Sequence, residues 1–388
     1  MRGGRGSFGC IRGAGAGGVA EAGGMRLDNG DGLGGSGAAD GGVPGGAGPG
    51  GGEGFRHQVK DAVTPRSAVL LLGVLALGVL FITSYAGAFH SPKPKDVPVG
   101  VVAPAQVRGK LVDGLNGLPG SPLSARATAS RDAAVDRIRD RRLDGALVVG
   151  PRGSTDLLLV ASGGGQSLSD AVRKVVTAAE RAQGRDVRTV DVAPADPEDT
   201  RGLSSFYLVV GWCVGGYLCA AILAVSYGAR PADTRRAVIR LGVLVLYAIA
   251  LGVLGAVVIG PVLGALPGSV LGLAALGALV VCAAGATTFA FQAMLGILGI
   301  GMTVLVIVIA GNPSAGGAYP YPLLPPFWRE IGPALIPGAG TWTARSIAYF
   351  DGRAMTGPLL VIAAWTVGGA VLTLVFARIH KSDARRLV

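Results

Sequence analysis

Apolar stretches, interrupted by one polar region, set the organisation of this chain. No Asp, Glu, Lys or Arg occurs between positions 241 and 328, and shorter charge-free stretches lie near both ends and after position 203. A helix that crosses the hydrocarbon core of a membrane needs about 20 mostly apolar residues. The pattern therefore predicts an α-helical polytopic membrane protein with six transmembrane helices, at 66–89, 204–227, 239–263, 269–285, 289–310 and 357–377.

Residues 90–203, between the first two predicted helices, follow a different pattern. Strand-like runs occur at 97–102, 143–149, 156–161 and 187–192, and amphipathic helices at 131–142, with Ser130 as N-cap, and at 169–182. The turn residues at 150–155 predict that the strands on either side form a hairpin. The region is predicted to be a small α/β domain whose strand order stays open.

Basic residues indicate which helix ends face the cytoplasm. Arg56, Lys60 and Arg66 precede the first helix, a loop with four Arg and one Asp follows the second, and the C-terminal tail is basic. Because cytoplasmic loops carry an excess of Lys and Arg, both termini are predicted to be cytoplasmic. The α/β domain is then extracytoplasmic and the protein lies in the cell membrane.

The two ends of the chain are predicted to be tails. Residues 1–65 are glycine-rich with few large apolar side chains, which predicts a disordered cytoplasmic tail that starts at Met1 or Met25. Residues 379–388 form a second cytoplasmic tail. The first apolar stretch is either an uncleaved anchor or a signal peptide cleaved near Ala86-Gly87-Ala88, and its length and long leader favour the anchor.

The loop after the second predicted helix is the first candidate site. Its charged side chains are Arg230, Asp233, Arg235, Arg236 and Arg240. One interpretation is a basic loop that only sets topology; the other is a contact surface for a partner protein.

The segment 311–356, rich in Pro, Gly and aromatic residues, is the second candidate site. Irregular backbone is tolerated at membrane depth only where it is buried in protein or lines a cavity, so the segment is predicted to re-enter the outer face as short half-helices. A belt of interfacial aromatic residues is the alternative. Arg329 and Glu330 form either an exposed ion pair or part of a pore mouth. The candidate gate residues are Asn312, Pro313, Phe327, Trp328, Arg329 and Glu330.

Composition excludes several functions. The net charge of +11 is concentrated in tails and one loop, which argues against nucleic-acid binding. The four Cys and three His are scattered, so no metal or other cofactor is expected. No G-x-x-x-x-G-K-[ST] motif and no catalytic constellation occurs, so the chain is not expected to be an enzyme.

Apart from Arg66 and Arg240 at the ends of two spans, the predicted spans carry no Asp, Glu, His, Lys or Arg, which argues against transport driven by an ion gradient. Their most polar group is Thr287, Thr288 and Gln292. These side chains either cap helix ends beside a turn or make polar contacts along a translocation path.

Several segments together resemble ABC-2-type transporter permeases of the YhgE/Pip-like (phage-infection-protein-like) actinobacterial branch. They are 143–149 with 158–164, then Arg201-Gly202-Leu203, Phe206-Tyr207 and 211–217, then 311–319, Leu323-Leu324-Pro325, Phe327-Trp328, 337–340, Arg345 and Tyr349-Phe350. The resemblance implies a six-span permease that works as a homodimer or heterodimer with a separate ATPase subunit. It also implies that 230–240 contacts the ATPase and that 311–350 forms re-entrant helices.

Two functions follow as hypotheses. The first is an export permease that moves a hydrophobic or amphipathic substrate and has only membrane lipids, a second permease and an ATPase as partners. The alternative is a non-transport receptor or envelope-assembly factor that acts through residues 90–203.

Overall fold

A computed structural model describes residues 64–150, 154–231 and 233–386. The predicted tail 1–65 therefore lies almost entirely outside the described residues. In chain order the elements are α1 Pro65–Phe89, β1 Val97–Val102, α2 Ala105–Asn116, β2 Leu123–Ala127, α3 Arg131–Arg139, β3 Gly145–Val148, β4 Thr155–Val160, α4 Gln166–Arg181, β5 Asp186–Asp191, α5 Ser204–Tyr227, α6 Thr234–Val257, α7 Val270–Leu295, α8 Leu298–Thr303, α9 Pro326–Ile331, α10 Ile336–Tyr349 and α11 Thr356–Arg386.

Five helices of the described chain are long and apolar enough to span a membrane. The chain is therefore a multi-pass membrane protein. They are α1, α5, α6 with its π-helical extension to Val262, α7 and α11. The fifth predicted span, 289–310, is instead divided between the end of α7 and a shorter apolar helix, Leu298–Gly311. At 1.5 Å per residue it is about 21 Å long, less than the roughly 30 Å of a hydrocarbon core.

One predicted helix boundary is wrong. The break expected at 286–288 does not exist, because α7 continues to Leu295 and turns at Gly296, where φ is +64°. Ala, Gly and Thr around the expected break are compatible with a helix, whereas the left-handed backbone at 296 favours glycine. The last helix is also longer than predicted, since α11 continues to Arg386 through the predicted tail.

α7 is the centre of the helical bundle. It packs against α5, α6, α8, α10 and α11. In its apolar 18-residue stretch 56% is buried, against 6% in the corresponding stretch of α1. Glycine permits the closest approach: a Cβ at Gly369 of α11 would lie 2.6 Å from the backbone of Ala286. α1 lies at the periphery, where the Ser84 hydroxyl donates to the carbonyl of Ile309.

The α/β domain has one five-stranded sheet with the order β2-β1-β3-β4-β5. β3 and β4 are antiparallel, which confirms the predicted hairpin, and the other neighbours are parallel. Helices α2 and α4 connect parallel strands within the two halves of the sheet. The Ser130 side chain caps α3 as predicted, by accepting from the amide of Ala133.

Sequence analysis missed α2 and β2. The helix contains Gly109 and Gly114 and buries only Leu115, so its apolar period is faint. The strand has five residues and ends on exposed Arg126 and Ala127. Without these two elements the order of the sheet could not be derived.

Apolar side chains cover both faces of the sheet, and each cluster includes a side chain from beyond the domain. One face carries Val97, Val99 and Val101 with Leu323. The other carries Ala146 and Leu159 with Phe350. The core of the domain is therefore completed by residues 311–356, called the platform segment below.

The platform segment contains short helices, as expected for 311–356. α10 is 14 residues long, carries Pro and Gly in its first turn, and packs against α5, α7 and α11. Its residues from Ile336 to Ala344 are buried except Trp342.

Candidate functional site

The predicted gate residues differ in their exposure. Asn312 and Pro313 are buried in the turn that begins the platform segment. Phe327 is 63% exposed and contacts Trp328 edge to face, and Glu330 is exposed. Arg329 lines the cavity described below.

Arg329 does not pair with Glu330. Among the ion pairs of the described residues, none joins the two side chains. Arg329 instead donates to the carbonyl of Lys95, 3.1 Å away, so it links the platform segment to the start of the sheet domain. The interpretation of an Arg329–Glu330 pair is wrong.

The cavity has a volume of about 200 Å³ and lies between the sheet domain and the platform segment. Four ionisable side chains other than tyrosine line it: Arg141 and Asp144 from the loop before β3, and Arg329 and Arg345 from the platform segment. Sequence analysis did not select Arg141 or Asp144. From the sequence alone, a charged residue beside a strand of a small domain looks like an ordinary surface residue. Its burial becomes visible only when the contact between the domain and the platform segment is known.

Arg141 reaches from the domain to α10. Its Nη1 donates to the carbonyl of Trp342 at 2.8 Å and to the Ser346 hydroxyl at 3.1 Å. Its guanidinium lies 3.5 Å from the centre of the Trp342 ring, a cation–π contact. The backbone of Arg141 is left-handed, with φ +55°. That conformation is unfavourable for a bulky side chain and is typical of functional positions.

Arg345 joins two separate stretches of backbone through three carbonyls. It is 3% exposed and donates to the carbonyls of Gly202, Gly316 and Gly317 at distances of 2.7 to 3.0 Å. These glycines lie before α5 and in the platform segment. Arg345 was part of the resemblance motif, and the available signal was a single charge in an otherwise apolar helix.

Asp144 is the one acidic residue in the lining of this cavity. Burial raises the pKa of its carboxyl to about 6, and the positive charges of Arg141 and Arg329 oppose that rise. Burial also raises the pKa of the Tyr321 phenol, which stays a neutral hydroxyl.

Glycines allow the domain to approach the platform segment closely. A Cβ at Gly163 would lie 2.5 Å from Cγ of Tyr349, and one at Gly165 would overlap the ring of Pro320. Two hydrogen bonds add to the contact, from the Ser167 hydroxyl to Ala318 O at 3.0 Å and from Lys95 N to Pro322 O at 3.0 Å. The domain therefore packs directly against the platform segment and is not joined to it by the chain connection alone.

The basic loop lies at the other end of α5, about 36 Å away for 24 helical residues. Arg240 is buried and donates to the carbonyls of Tyr227, Gly228 and Ala229, which closes the end of α5. Arg230 donates to Met294 O at 3.4 Å, near the end of α7.

The remaining residues of the loop divide by exposure. The Asp233 carboxylate accepts from the amide of Arg236 and caps α6. The side chains of Arg235 and Arg236 are exposed. Arg230 is exposed as well, so the exposed arginines of the predicted contact surface are Arg230, Arg235 and Arg236.

Thr287, Thr288 and Gln292 are buried inside α7 and do not cap an end beside a turn at 286–288. The Thr288 hydroxyl donates to Ala284 O and the Gln292 amide donates to Ala220 O. The Thr287 hydroxyl has no partner among the described residues. It lines a second cavity of about 430 Å³, an apolar groove between α7 and α11 that also includes Phe291, Trp365 and Gly368.

No group of three or more His, Cys, Asp or Glu side chains in the described part of the chain could hold a metal ion. Comparisons with protein-family models, with curated proteins and with solved structures found no match to this chain.

Proposed function

We propose that the chain is an ABC-2-type export permease subunit that moves a hydrophobic or amphipathic substrate across the cell membrane. The observation that carries the proposal is the apolar groove between α7 and α11. Its volume of about 430 Å³ is within the usual range for small-molecule sites. Its lining includes Phe291, Trp365 and Leu372 and no charged residue, which suits an acyl chain better than an ion or a sugar.

The basic loop after α5 is the proposed binding site for the ATPase. In this proposal the loop and both termini are cytoplasmic, the sheet domain is extracytoplasmic, and the permease works as a dimer with a separate ATPase. Asp233 and Arg240 support the fold of the loop itself. Arg230, Arg235 and Arg236 are exposed and form the contact with the ATPase.

The groove is tested with a photoactivatable phospholipid in vesicles that contain the full chain. Gly368 lines the groove and has no neighbour within 4 Å of an added Cβ. Gly368→Leu is therefore expected to fill the groove without disturbing the packing, and to reduce labelling of α7 and α11 about tenfold. Gly357→Leu is the matched control, because Gly357 is on the same helix, outside the groove and equally unobstructed. Equal labelling of both variants would refute the groove as the substrate site.

The coupling is tested by co-purification with an ATPase expressed from the same genome, followed by ATP hydrolysis in liposomes. Arg235→Glu/Arg236→Glu is expected to abolish co-purification, because it reverses two exposed charges. Arg126→Glu/Arg188→Glu makes the same charge change at exposed positions of the sheet domain and should leave it intact. A chain that purifies with no ATPase at all would favour the receptor or assembly hypothesis.

A further inference from the structure

The lining of the cavity between the sheet domain and the platform segment is positively charged. Three arginines, Arg141, Arg329 and Arg345, line it together with a single acidic residue, Asp144. The lining thus carries two more positive than negative charges, and Asp199, which also interacts electrostatically with Arg345, lies outside it. Charges removed from water are costly unless they are paired, so the arrangement is suited to an anion.

Arg141 and Arg329 retain hydrogen-bonding capacity. Arg141 makes both of its side-chain hydrogen bonds to described residues through Nη1. Arg329 makes one, also through Nη1, to the carbonyl of Lys95. Guanidinium groups present forked donors that match the oxygens of phosphate and carboxylate groups.

The size of the cavity limits the ligand. About 200 Å³ is less than the usual volume for a drug-sized molecule, and is suited to a headgroup or a small oxyanion. The left-handed backbone of Arg141 and its stacking on Trp342 hold its guanidinium in place. The Tyr321 side chain also lines the cavity.

We infer that this cavity is a binding site for a phosphate-type oxyanion, held by Arg141, Arg329 and Arg345. A lipid headgroup and free phosphate share this chemistry. Asp144 sits beside the anion and opposes binding when it is charged. The inference does not depend on transport, since a receptor with the same cavity would bind the same group.

The test measures binding by isothermal titration calorimetry to the full chain purified in a neutral maltoside detergent at pH 8. The probes are inorganic phosphate, dodecyl phosphate and, as the neutral control, dodecyl glucoside. We expect phosphate-bearing probes to bind and the neutral amphiphile to give no heat. Binding of dodecyl phosphate alone identifies a lipid headgroup, and equal binding of inorganic phosphate identifies the free anion. No binding of either at millimolar concentration overturns the inference.

Two substitutions with opposite expected signs separate a binding role from a structural one. Arg329→Gln removes one positive charge from a residue that makes a single hydrogen bond to a described residue, and should weaken binding about tenfold. Asp144→Asn removes the opposing charge without a change of shape and should strengthen binding several-fold. The exposed Arg126→Gln should have no effect. Changes of the same sign in Arg329→Gln and Asp144→Asn would refute the site.

Discussion

Two buried arginines, one at each end of the helical bundle, make the same kind of hydrogen bonds with different consequences for stability. Arg240 and Arg345 each donate to three backbone carbonyls. The carbonyls at Arg240 belong to three successive residues at the end of α5. Those at Arg345 belong to Gly202 and to the turn at Gly316–Gly317, which are more than 100 residues apart.

The difference teaches how this chain distributes its stability. At the loop end, Tyr227 and Gly228 are exposed residues, so water can replace Arg240 at their carbonyls. At the docking end, Gly202, Gly316 and Gly317 are buried, and an unpartnered buried carbonyl is costly. Arg240 is therefore a local cap, whereas Arg345 holds the platform segment to the start of α5.

The largest effect is expected from Arg345→Met. The substitution removes three charge-assisted hydrogen bonds and leaves three buried carbonyls unpaired, so the free energy of unfolding should fall by about 3–5 kcal/mol. Arg240→Met should cost about 1–2 kcal/mol, because its carbonyls can bind water. Circular dichroism during thermal unfolding in detergent measures both.

A conservative variant sharpens this comparison. Arg345→Lys retains the charge but loses the forked geometry that serves three carbonyls, so its loss of stability should lie between those of the wild type and Arg345→Met. Equal losses of stability in Arg345→Met and Arg240→Met would contradict the distinction between Arg240 as a local cap and Arg345 as a link between the platform segment and α5.

A smaller effect is expected at the glycines of the docking face. Gly163→Ala places a Cβ within 2.5 Å of Tyr349 and must displace the ring, so overpacking should cost about 1–3 kcal/mol. Gly164→Ala is the matched control, since its Cβ would meet Phe350 at 3.4 Å, close to ordinary contact. Hydrogen exchange should report faster exchange of β4 and α10 amides in Gly163→Ala only. Identical exchange in the two variants would show that the domain is not held by this contact.

The parts of the fold that could be predicted are those with strong local periodicity. The helices α1, α5 and α11 are long apolar runs, and the β3–β4 pair follows from alternation around a turn. The end of α7 at Gly296 could not be placed, because the chain is apolar on both sides of it. Local pattern carries no information there.

The cavity between the sheet domain and the platform segment could not be predicted from the sequence, because residues that are distant in the sequence form it. Arg141 meets Trp342 and Ser346 across about 200 positions, and Arg345 meets Gly202 across 143. The loop arginines could be selected, because they are concentrated in a few positions. Their division into caps and exposed side chains required the hydrogen bonds.

A third buried charge cluster, within the sheet domain, extends the comparison to pH. Arg185 donates to both carboxylate oxygens of Asp156 at 2.6 Å, while its Nε is 3.9 Å from Glu180. Glu180 is fully buried. Burial, together with the neighbouring Asp156 carboxylate, raises the pKa of Glu180 to about 7 from its ordinary value of 4.5.

The smallest effect is expected from Glu180→Gln. Between pH 4.5 and 7 the unfolded chain loses the Glu180 proton while the folded chain keeps it, so the wild type should lose stability as the pH rises through this window. Glu180→Gln removes that loss and should be more stable than the wild type at pH 8, with no gain at pH 4.5. The raised pKa of Asp144, about 6, has the same sign, so part of the pH dependence should remain until Asp144→Asn is added. Thermal unfolding at pH 4.5, 6 and 8 measures the wild type, Glu180→Gln, Asp144→Asn and the double variant. A gain at pH 8 in Asp144→Asn but none in Glu180→Gln would assign the pH dependence to the docking face rather than to the interior of the domain.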